Sequence, residues 1–315
     1  MKEKFLWGGI AAIILSWALN YAYFQAQQLD EPIFLEHYYE TYIENEGQLT
    51  FYYLTNKLNP HEVVSVSIDG LDGVGVYHGE NDGFFMWEEQ SELKFEQEYS
   101  HHYLKAVTLQ FHKDILPLND SRSTFSFERM DVFFDNGSSI SAELGKVILH
   151  PFDVLEQVAF DVRMSSGSDQ HRSEAMVTKE AVVIEDIVIP FGDDLAGQVF
   201  VKADIDQERL KELERVMQGG DFPVWADEEM EAEWDRTTAI SIDEGLLPLE
   251  MGANEWLNIK MFFNPERASY FEFSIKMEGL TASGIPFVHY VPVTDHPNLD
   301  QKAIDRIIAG KDGGK

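Results

Sequence analysis

The stretch FLWGGIAAIILSWALNYAYF, residues 5–24, decides where the rest of the chain lies. It contains no charged side chain, and the uncharged run extends from just after Lys4 to just before Asp30. Twenty residues at about 1.5 Å per residue make a helix of roughly 30 Å, which is the hydrocarbon thickness of a bilayer. Trp7 near one end and Tyr21 near the other are typical of membrane interfaces. The stretch therefore predicts a single transmembrane helix.

A signal peptide and a buried helix are the two alternatives for this stretch. A cleavable signal has an apolar core of about 7–15 residues and a small-x-small cleavage site. Here the apolar run is longer, and the nearest candidate sites pair Ala22 with Asn20 and Ala26 with Phe24. A core helix of this length rarely lacks charges altogether. We expect an uncleaved signal-anchor, with a cleaved signal as the main alternative and a core helix as the lesser one.

The orientation of the helix follows from the two lysines that precede it. Lys2 and Lys4 are expected to stay on the cytoplasmic side, because positive residues flank transmembrane helices there. Residues 1–4 then form a cytoplasmic tail, residues 25–32 a short polar stalk, and the bulk of the chain an extracytoplasmic part. The predicted location is the cell membrane, with a single pass.

Small and polar side chains recur at a spacing of four along the predicted anchor. They are Gly8, Ala12, Ser16 and Asn20. Such a face lets two transmembrane helices approach closely, and an asparagine can hydrogen-bond across the contact. We treat these four residues as a candidate packing face for another membrane protein.

The charge of the chain restricts its partners. The sequence has 24 basic and 56 acidic residues, a net charge of −32, and residues 1–4 contribute +1, so the remainder carries −33. Such a surface repels phosphate backbones, which argues against a nucleic-acid partner. Weak cation binding at the acidic surface remains open, and a solubilising exterior is the simpler interpretation.

The absence of cysteine removes several kinds of chemistry. With no thiol, the chain has no disulfide, no thiolate metal site and no covalent haem attachment. An exported domain without disulfides favours a bacterial source. We find no phosphate-binding loop or dinucleotide fingerprint and expect no cofactor and no dedicated metal site.

The roughly 285 residues beyond the anchor predict a mainly β fold. Apolar and polar residues alternate in many short runs separated by glycine, proline and asparagine, which is typical of antiparallel sandwiches. The sequence Asp135-Asn136-Gly137 is the strongest hairpin signal. We place a first β-sandwich-like domain at 33–150 and a second β-rich domain at 151–315, with a boundary at His150-Pro151.

Helices are expected only in the second domain. Asp206 can cap a helix near 206–218 that Gly219 ends, and a short terminal helix at 300–309 is expected to end at Gly310. Two other turns matter for the topology. The first, Asn45-Glu46-Gly47, predicts a hairpin between 34–43 and 49–54, and an Asn-Pro turn occurs at both Asn59 and Asn264. The repeated Asn-Pro turn indicates either internal duplication or shared turn chemistry, and we favour the latter.

No motif identifies a catalytic residue. His61-Glu62 resembles the start of a zinc-protease motif, but Ser65 stands where the second histidine belongs. The adjacent His101 and His102 would form a metal site only if His78, His112 or a carboxylate folded in beside one of them. The acidic run Asp227, Glu228, Glu229, Glu231, Glu233 and Asp235 lacks the oxygen spacing of a calcium loop and is expected to be a solvated face.

The sequence therefore predicts a membrane-anchored extracytoplasmic binding or interaction module, and it leans against an enzyme without naming a catalytic residue. Two alternatives stay open. One is an exported hydrolase with carboxylates scattered over loops, and the other is an accessory subunit that docks to a membrane protein through its anchor.

Overall fold

The chain folds mainly into β-strands. A computed structural model describes residues 2–71, 73–77, 94–117, 123–152, 159–217, 219–221, 223–231, 234–242 and 245–312. The structure is 49% strand and 19% helix, with three sheets and few, short helices after an N-terminal apolar helix. The predicted fold class is thus confirmed.

Helix α1 spans Lys2–Ala26 and stands apart from the sheets. Every residue from Trp7 to Tyr23 is exposed, and none of the window Trp7–Ala26 is buried by the rest of the protein. The helix is long and apolar enough to span a membrane, a property that a signal sequence near the N-terminus shares.

Sheet A is antiparallel throughout and lies next to the end of α1. Its strand order is β1-β3-β7-β5, and β6 also pairs with β7. The strands are β1 (Ile33–Phe34), β3 (Glu46–Asn56), β5 (Gly75–Tyr77), β6 (Gln97–Glu98) and β7 (His102–His112).

Sheet B is the central sheet, and it takes strands from both sides of the expected domain boundary. They are β2 (His37–Ile43), β4 (Val63–Ser67), β8 (Phe125–Phe134), β9 (Ser139–Pro151), β12 (Val182–Val188), β15 (Leu249–Met251), β17 (Tyr270–Thr281) and β18 (Pro286–Asp295). The order is β15-β12-β17-β2-β9-β8-β4, with β18 along the other edge of β17. Strand β2 runs parallel to both β17 and β9, a feature that the alternation pattern does not predict.

Sheet B divides beside β17. Strand β18 covers one edge of β17, so β2 and β12 share the other edge, at Tyr270 to Glu272 and at Lys276 to Thr281 respectively. Beyond Tyr39, β2 therefore diverges from β17. We call this gap the sheet fork.

Sheet C belongs to the C-terminal half of the chain. Its order is β10-β11-β16-β13-β14, and all its pairings are antiparallel. The strands are β10 (Phe160–Gly167), β11 (His171–Thr178), β13 (Val199–Asp204), β14 (Ile240–Ser241) and β16 (Trp256–Phe263).

The described fold is completed by two 3₁₀ helices, Lys113–Ile115 and Trp234–Arg236, and by four α-helices: α2 (Gln207–Leu210), α3 (Leu213–Met217), α4 (Val224–Glu231) and α5 (Gln301–Asp312). Asp206 caps α2 as predicted, accepting hydrogen bonds from the backbone N–H groups of Glu208 and Arg209. The expected single helix is interrupted by a turn before α3. Helix α5 continues through Gly310, contrary to prediction, because a glycine weakens a helix by only about 1 kcal/mol without preventing it.

Two hydrophobic clusters hold the layers together. The first joins sheet A to β2, β8 and β9 and includes Ile304 of α5, and the second joins sheet C to β12, β17 and β18. Two sandwiches therefore share sheet B. The numerical limits proposed for the two domains stay predictions.

Candidate functional site

The predicted packing face lies along the exposed length of α1. Gly8, Ala12, Ser16 and Asn20 are all exposed, and a Cβ atom at Gly8 would meet nothing within 4 Å. The Asn20 amide nitrogen donates to the carbonyl oxygen of Ser16 at 2.9 Å, so one of its two N–H groups is used within the helix. The role of the four residues stays a prediction.

The chain that leaves α1 is held directly against sheet A. The Asn56 side chain accepts from the backbone N–H of Leu29 at 2.9 Å and donates to its carbonyl oxygen at 2.8 Å. The Nε2 atom of His102, which is buried, donates to the carbonyl oxygen of Gln27 at 2.9 Å. We call these contacts of Asn56 and His102 the clamp. Within the segment expected to be a stalk, the clamp fixes Gln27 and Leu29 to the body of the protein.

His101 and His102, the pair considered as a possible metal site, instead contact the end of α1 and the residues that follow it. The ring of His101 lies 6.1 Å from the ring of Tyr23 and 5.9 Å from that of Phe24. His78, a suggested third ligand, lies outside the described residues. Within the described part of the chain, no group of three or more His, Asp or Glu residues is placed to hold a metal ion.

A charged cluster that the sequence did not reveal occupies the sheet fork. Glu40 of β2 accepts two hydrogen bonds at Oε1, from Lys276 Nζ of β17 at 2.6 Å and from His150 Nε2 of β9 at 2.8 Å. Its Oε2 atom is buried and has no hydrogen-bond partner among the described residues. The only sequence signals were a glutamate inside the aromatic strand HYYETYI and a lysine inside an apolar one.

The environment of Glu40 favours its ionised form. Burial raises the pKa of Glu40, but the hydrogen bonds and charges of His150 and Lys276 outweigh burial, so the pKa lies below its usual value. Tyr42 stacks on His150 at 4.9 Å between ring centroids and is hydrogen-bonded to Tyr290. Burial raises the pKa of Tyr42. The cluster is a buried ion pair that uses one carboxylate oxygen of Glu40 and leaves the other without a partner among the described residues.

The outer face of sheet C carries a small cavity. Its volume is about 50 Å³, and it is lined by Trp225, Trp234, His171, Ser173, Asn258 and Lys260 among others. Since a water molecule needs roughly 10–15 Å³ of such space, the cavity accommodates a few waters or one small group. It is too small for a sugar ring or a peptide segment.

Two lining residues of this cavity, Lys260 and Glu229, belong to a cluster of four charged side chains. Lys260 Nζ lies 2.9 Å from Asp204 Oδ2 and 2.5 Å from Glu229 Oε2. Arg209 pairs with the same two carboxylates and donates to Glu229 Oε1 at 2.7 Å. Two positive and two negative charges cancel, so the group presents no net charge to a ligand.

Glu229 corrects the expectation of a solvated acidic face. Glu228 and Asp235 are exposed as expected, but Glu229 is half-buried because α4 turns it toward sheet C. Burial raises the pKa of Glu229, but hydrogen bonds and charges from Lys260 and Arg209 outweigh it and hold the pKa below its usual value. Glu233 lies outside the described residues.

No protein-family model matches this sequence, and a search of curated proteins finds no match. What the protein does therefore has to be inferred from the geometry of the chain itself.

Proposed function

We propose that the chain is a single-pass membrane protein whose ectodomain acts outside the cytoplasm as a binding or interaction module. One observation carries this proposal. Helix α1 exposes an uncharged and mostly apolar surface from Trp7 to Tyr23, including Trp17 at 68% exposure. A soluble protein rarely leaves so large a patch in water, and a bilayer would cover all of it.

Orientation and charge support an ectodomain outside the cytoplasm. Lys2 and Lys4 precede the apolar stretch of the helix, and the positive-inside preference would hold them in the cytoplasm. The −33 charge of the remainder suits a soluble exterior that avoids phosphate-rich partners such as nucleic acids.

The described clusters favour a module over a hydrolase. A hydrolase needs a carboxylate or histidine that can reach a substrate in a cleft. Asp204 and Glu229 are both bound by Arg209 and Lys260 beside a cavity of about 50 Å³, and Glu40 is bound by Lys276 and His150. These side chains stabilise the fold, whereas a catalytic group would need to be accessible.

The proposal is tested by the topology of the full chain in cells freed of their wall. Added protease is expected to digest the ectodomain and to leave a short membrane-bound fragment that contains α1. Detergent-permeabilised cells give the complete digest for comparison. Protection of the bulk in intact cells would overturn the orientation, and release of the bulk with a new N-terminus near Ala22 or Ala26 would show a cleaved signal.

A pair of variants tests the helix itself. Leu15→Lys places a charge in the middle of α1, where a lysine costs about 2.5–3.5 kcal/mol of insertion free energy, and membrane retention is expected to fall. Val224→Lys, at a comparably exposed residue of α4, is the matched control and is expected to leave retention unchanged. Equal retention of both variants would contradict the anchor.

A further inference from the structure

We propose that the end of sheet A beside α1 is itself a lipid-binding surface, seated in the headgroup layer of the outer leaflet. This surface consists of Asn56 at the end of β3, of Lys57 and Leu58 after it, and of Ser100 and His101 before β7, and we call it the basal edge. The inference rests on the proposed function, because it requires α1 to span a bilayer.

The depth of the basal edge follows from the length of α1. The apolar window Trp7–Ala26 has 20 residues, which make about 30 Å of helix and leave no excess over the hydrocarbon thickness. Tyr23 and Phe24 therefore lie at the outer boundary of the hydrocarbon. The His101 ring is within 6.1 Å of both rings, so it lies at the same depth.

The clamp keeps the ectodomain close to the bilayer. The clamp holds Leu29 through two hydrogen bonds to Asn56, and His102 holds Gln27, only one residue beyond the end of α1. A flexible stalk would allow the sheet to rise by several residues of extended chain, at about 3.3 Å each. The clamp removes that freedom.

An exposed leucine projects from the same edge. The backbone N–H of Lys57 donates to the carbonyl oxygen of His101 at 3.0 Å, which places the two loops side by side. The next residue, Leu58, is 74% exposed, more than Ile13 in the middle of the anchor. An isolated leucine in water needs no explanation, but one fixed beside the membrane boundary gains free energy by entering it.

The charges at this edge suit zwitterionic lipid. Lys57 forms an ion pair with Glu98 and donates to the carbonyl oxygen of Tyr99 at 2.9 Å, so its charge is neutralised locally. The ectodomain as a whole is strongly negative, and anionic headgroups would repel it. The contact is therefore apolar and independent of anionic lipid.

The absence of cysteine makes a direct measurement possible, because one introduced cysteine can carry one environment-sensitive NBD fluorophore. The full chain is reconstituted in phosphatidylcholine vesicles with the probe at Leu58→Cys, Val224→Cys or Leu15→Cys. Val224 on α4 is 72% exposed and matches Leu58 in exposure. Lipids with a quencher near the headgroup or deep in the acyl chain report the depth of each probe.

The three positions separate the proposal from the function on which it rests. With the probe at position 58, we expect a blue shift of the NBD emission and quenching by the headgroup quencher. We expect neither effect at position 224, and quenching by the acyl-chain quencher at position 15. If Leu15 is quenched but Leu58 behaves like Val224, the lipid-binding edge is wrong and the anchor stands. If Leu15 is not quenched, the membrane anchor itself is wrong.

A second variant tests the clamp. Asn56→Ala removes both side-chain hydrogen bonds to Leu29 and is expected to lower the quenching at Leu58 while that at Leu15 stays the same. Unchanged quenching at Leu58 would show that the clamp does not set the height of the ectodomain. Adding anionic lipid to the vesicles is expected to give no gain in quenching at Leu58, and a gain would show that the edge binds charge.

Discussion

Two buried glutamates, one at the sheet fork and one in sheet C, respond to burial in opposite ways. Glu40 is 7% exposed and Glu174 of β11 is 5% exposed, so both carboxyl groups have lost most of their contact with water. The pKa of Glu40 lies below its usual value, whereas burial raises the pKa of Glu174 to about 7, with Arg172 opposing the rise. The difference lies in their partners.

The topology decides which partners each glutamate can have. Glu174 faces Ser165 of β10 and Ile259 of β16 in the ladder, neither of which carries a charge, and its Oε1 atom has no partner among the described residues. Glu40 lies just beyond the last paired residue of β2 on the β17 side, where the fork leaves room for Lys276. The break in strand pairing thus lets a cation reach one carboxylate oxygen of Glu40, whereas Glu174 forms no ion pair among the described residues.

Removing the lysine at the fork should have the largest effect on stability. In Lys276→Met, Glu40 keeps His150 but loses its permanent cation, and breaking a buried pair costs about 3–5 kcal/mol. We expect the free energy of unfolding at pH 7 to fall by an amount near the lower end of that range, measured by denaturant unfolding of the full chain in neutral detergent. Lys146→Met, which removes an exposed pair with Asp194, should cost less than about 1 kcal/mol.

The pH dependence of this loss identifies its cause. The pKa of Glu40 in the folded state is lower than in the unfolded state. Its pairing therefore contributes stability at pH values above the unfolded pKa, and this contribution is lost as the pH falls through the folded pKa. The difference between wild type and Lys276→Met should therefore shrink in acid below that pKa. A difference that is constant with pH would point to lost packing of the lysine stem and not to the charge pair.

Removing the charge of Glu174 should have a smaller effect of the opposite sign. Its folded pKa is about 7 against an ordinary 4.5, so ionising Glu174 destabilises the fold progressively as the pH rises from 4.5 through 7. Glu174→Gln is expected to raise the free energy of unfolding at pH 8 by up to about 3 kcal/mol, at about 1.36 kcal/mol per pKa unit. At pH 4 the gain should vanish.

The exposed strand residue Glu185 supplies the control for Glu174. Glu185→Gln removes the same charge from β12 at the surface, and the change in stability should stay within about 0.5 kcal/mol at both pH values. A gain for Glu174→Gln that is equal at pH 4 and pH 8 would show that lost charge is not the cause.

The sequence predicted the local features of this fold better than its long-range pairings. The Asp135-Asn136-Gly137 turn joins β8 to β9 as predicted, with Gly137 at a φ of +81° that a side chain would disfavour. The Asp206 cap is also confirmed. In both cases the signal and the structure lie within a few residues of each other.

The strand partners could not be predicted, because alternation reports the period of a strand and not its neighbour. The turn near Asn45 was predicted to close a hairpin, but β2 belongs to sheet B and β3 to sheet A. The Asn-Pro turns at Asn59 and Asn264 likewise each lead from an outer sheet to sheet B. The Glu40 cluster depends on these passages of the chain between sheets, since Glu40 contacts His150 and Lys276, which are 110 and 236 positions away along the chain.

The smallest expected effect concerns the exposed acidic residues, a third environment beside the paired and unpaired buried glutamates. The excess of 33 negative charges repels itself, and salt screens exposed charges over about 8 Å at physiological ionic strength. The melting temperature of the full chain in neutral detergent should therefore rise with NaCl from low salt.

CaCl₂ at matched ionic strength should add little, because Glu229 of the acidic run is already bound by Lys260 and Arg209. A specific calcium site would instead stabilise by about 2.7 kcal/mol at a hundredfold excess over Kd. A large shift at sub-millimolar calcium that Glu228→Gln and Asp235→Asn abolish would show that the exposed part of the run binds the ion, and a shift abolished only by Glu229→Gln would show that calcium displaces the buried pair.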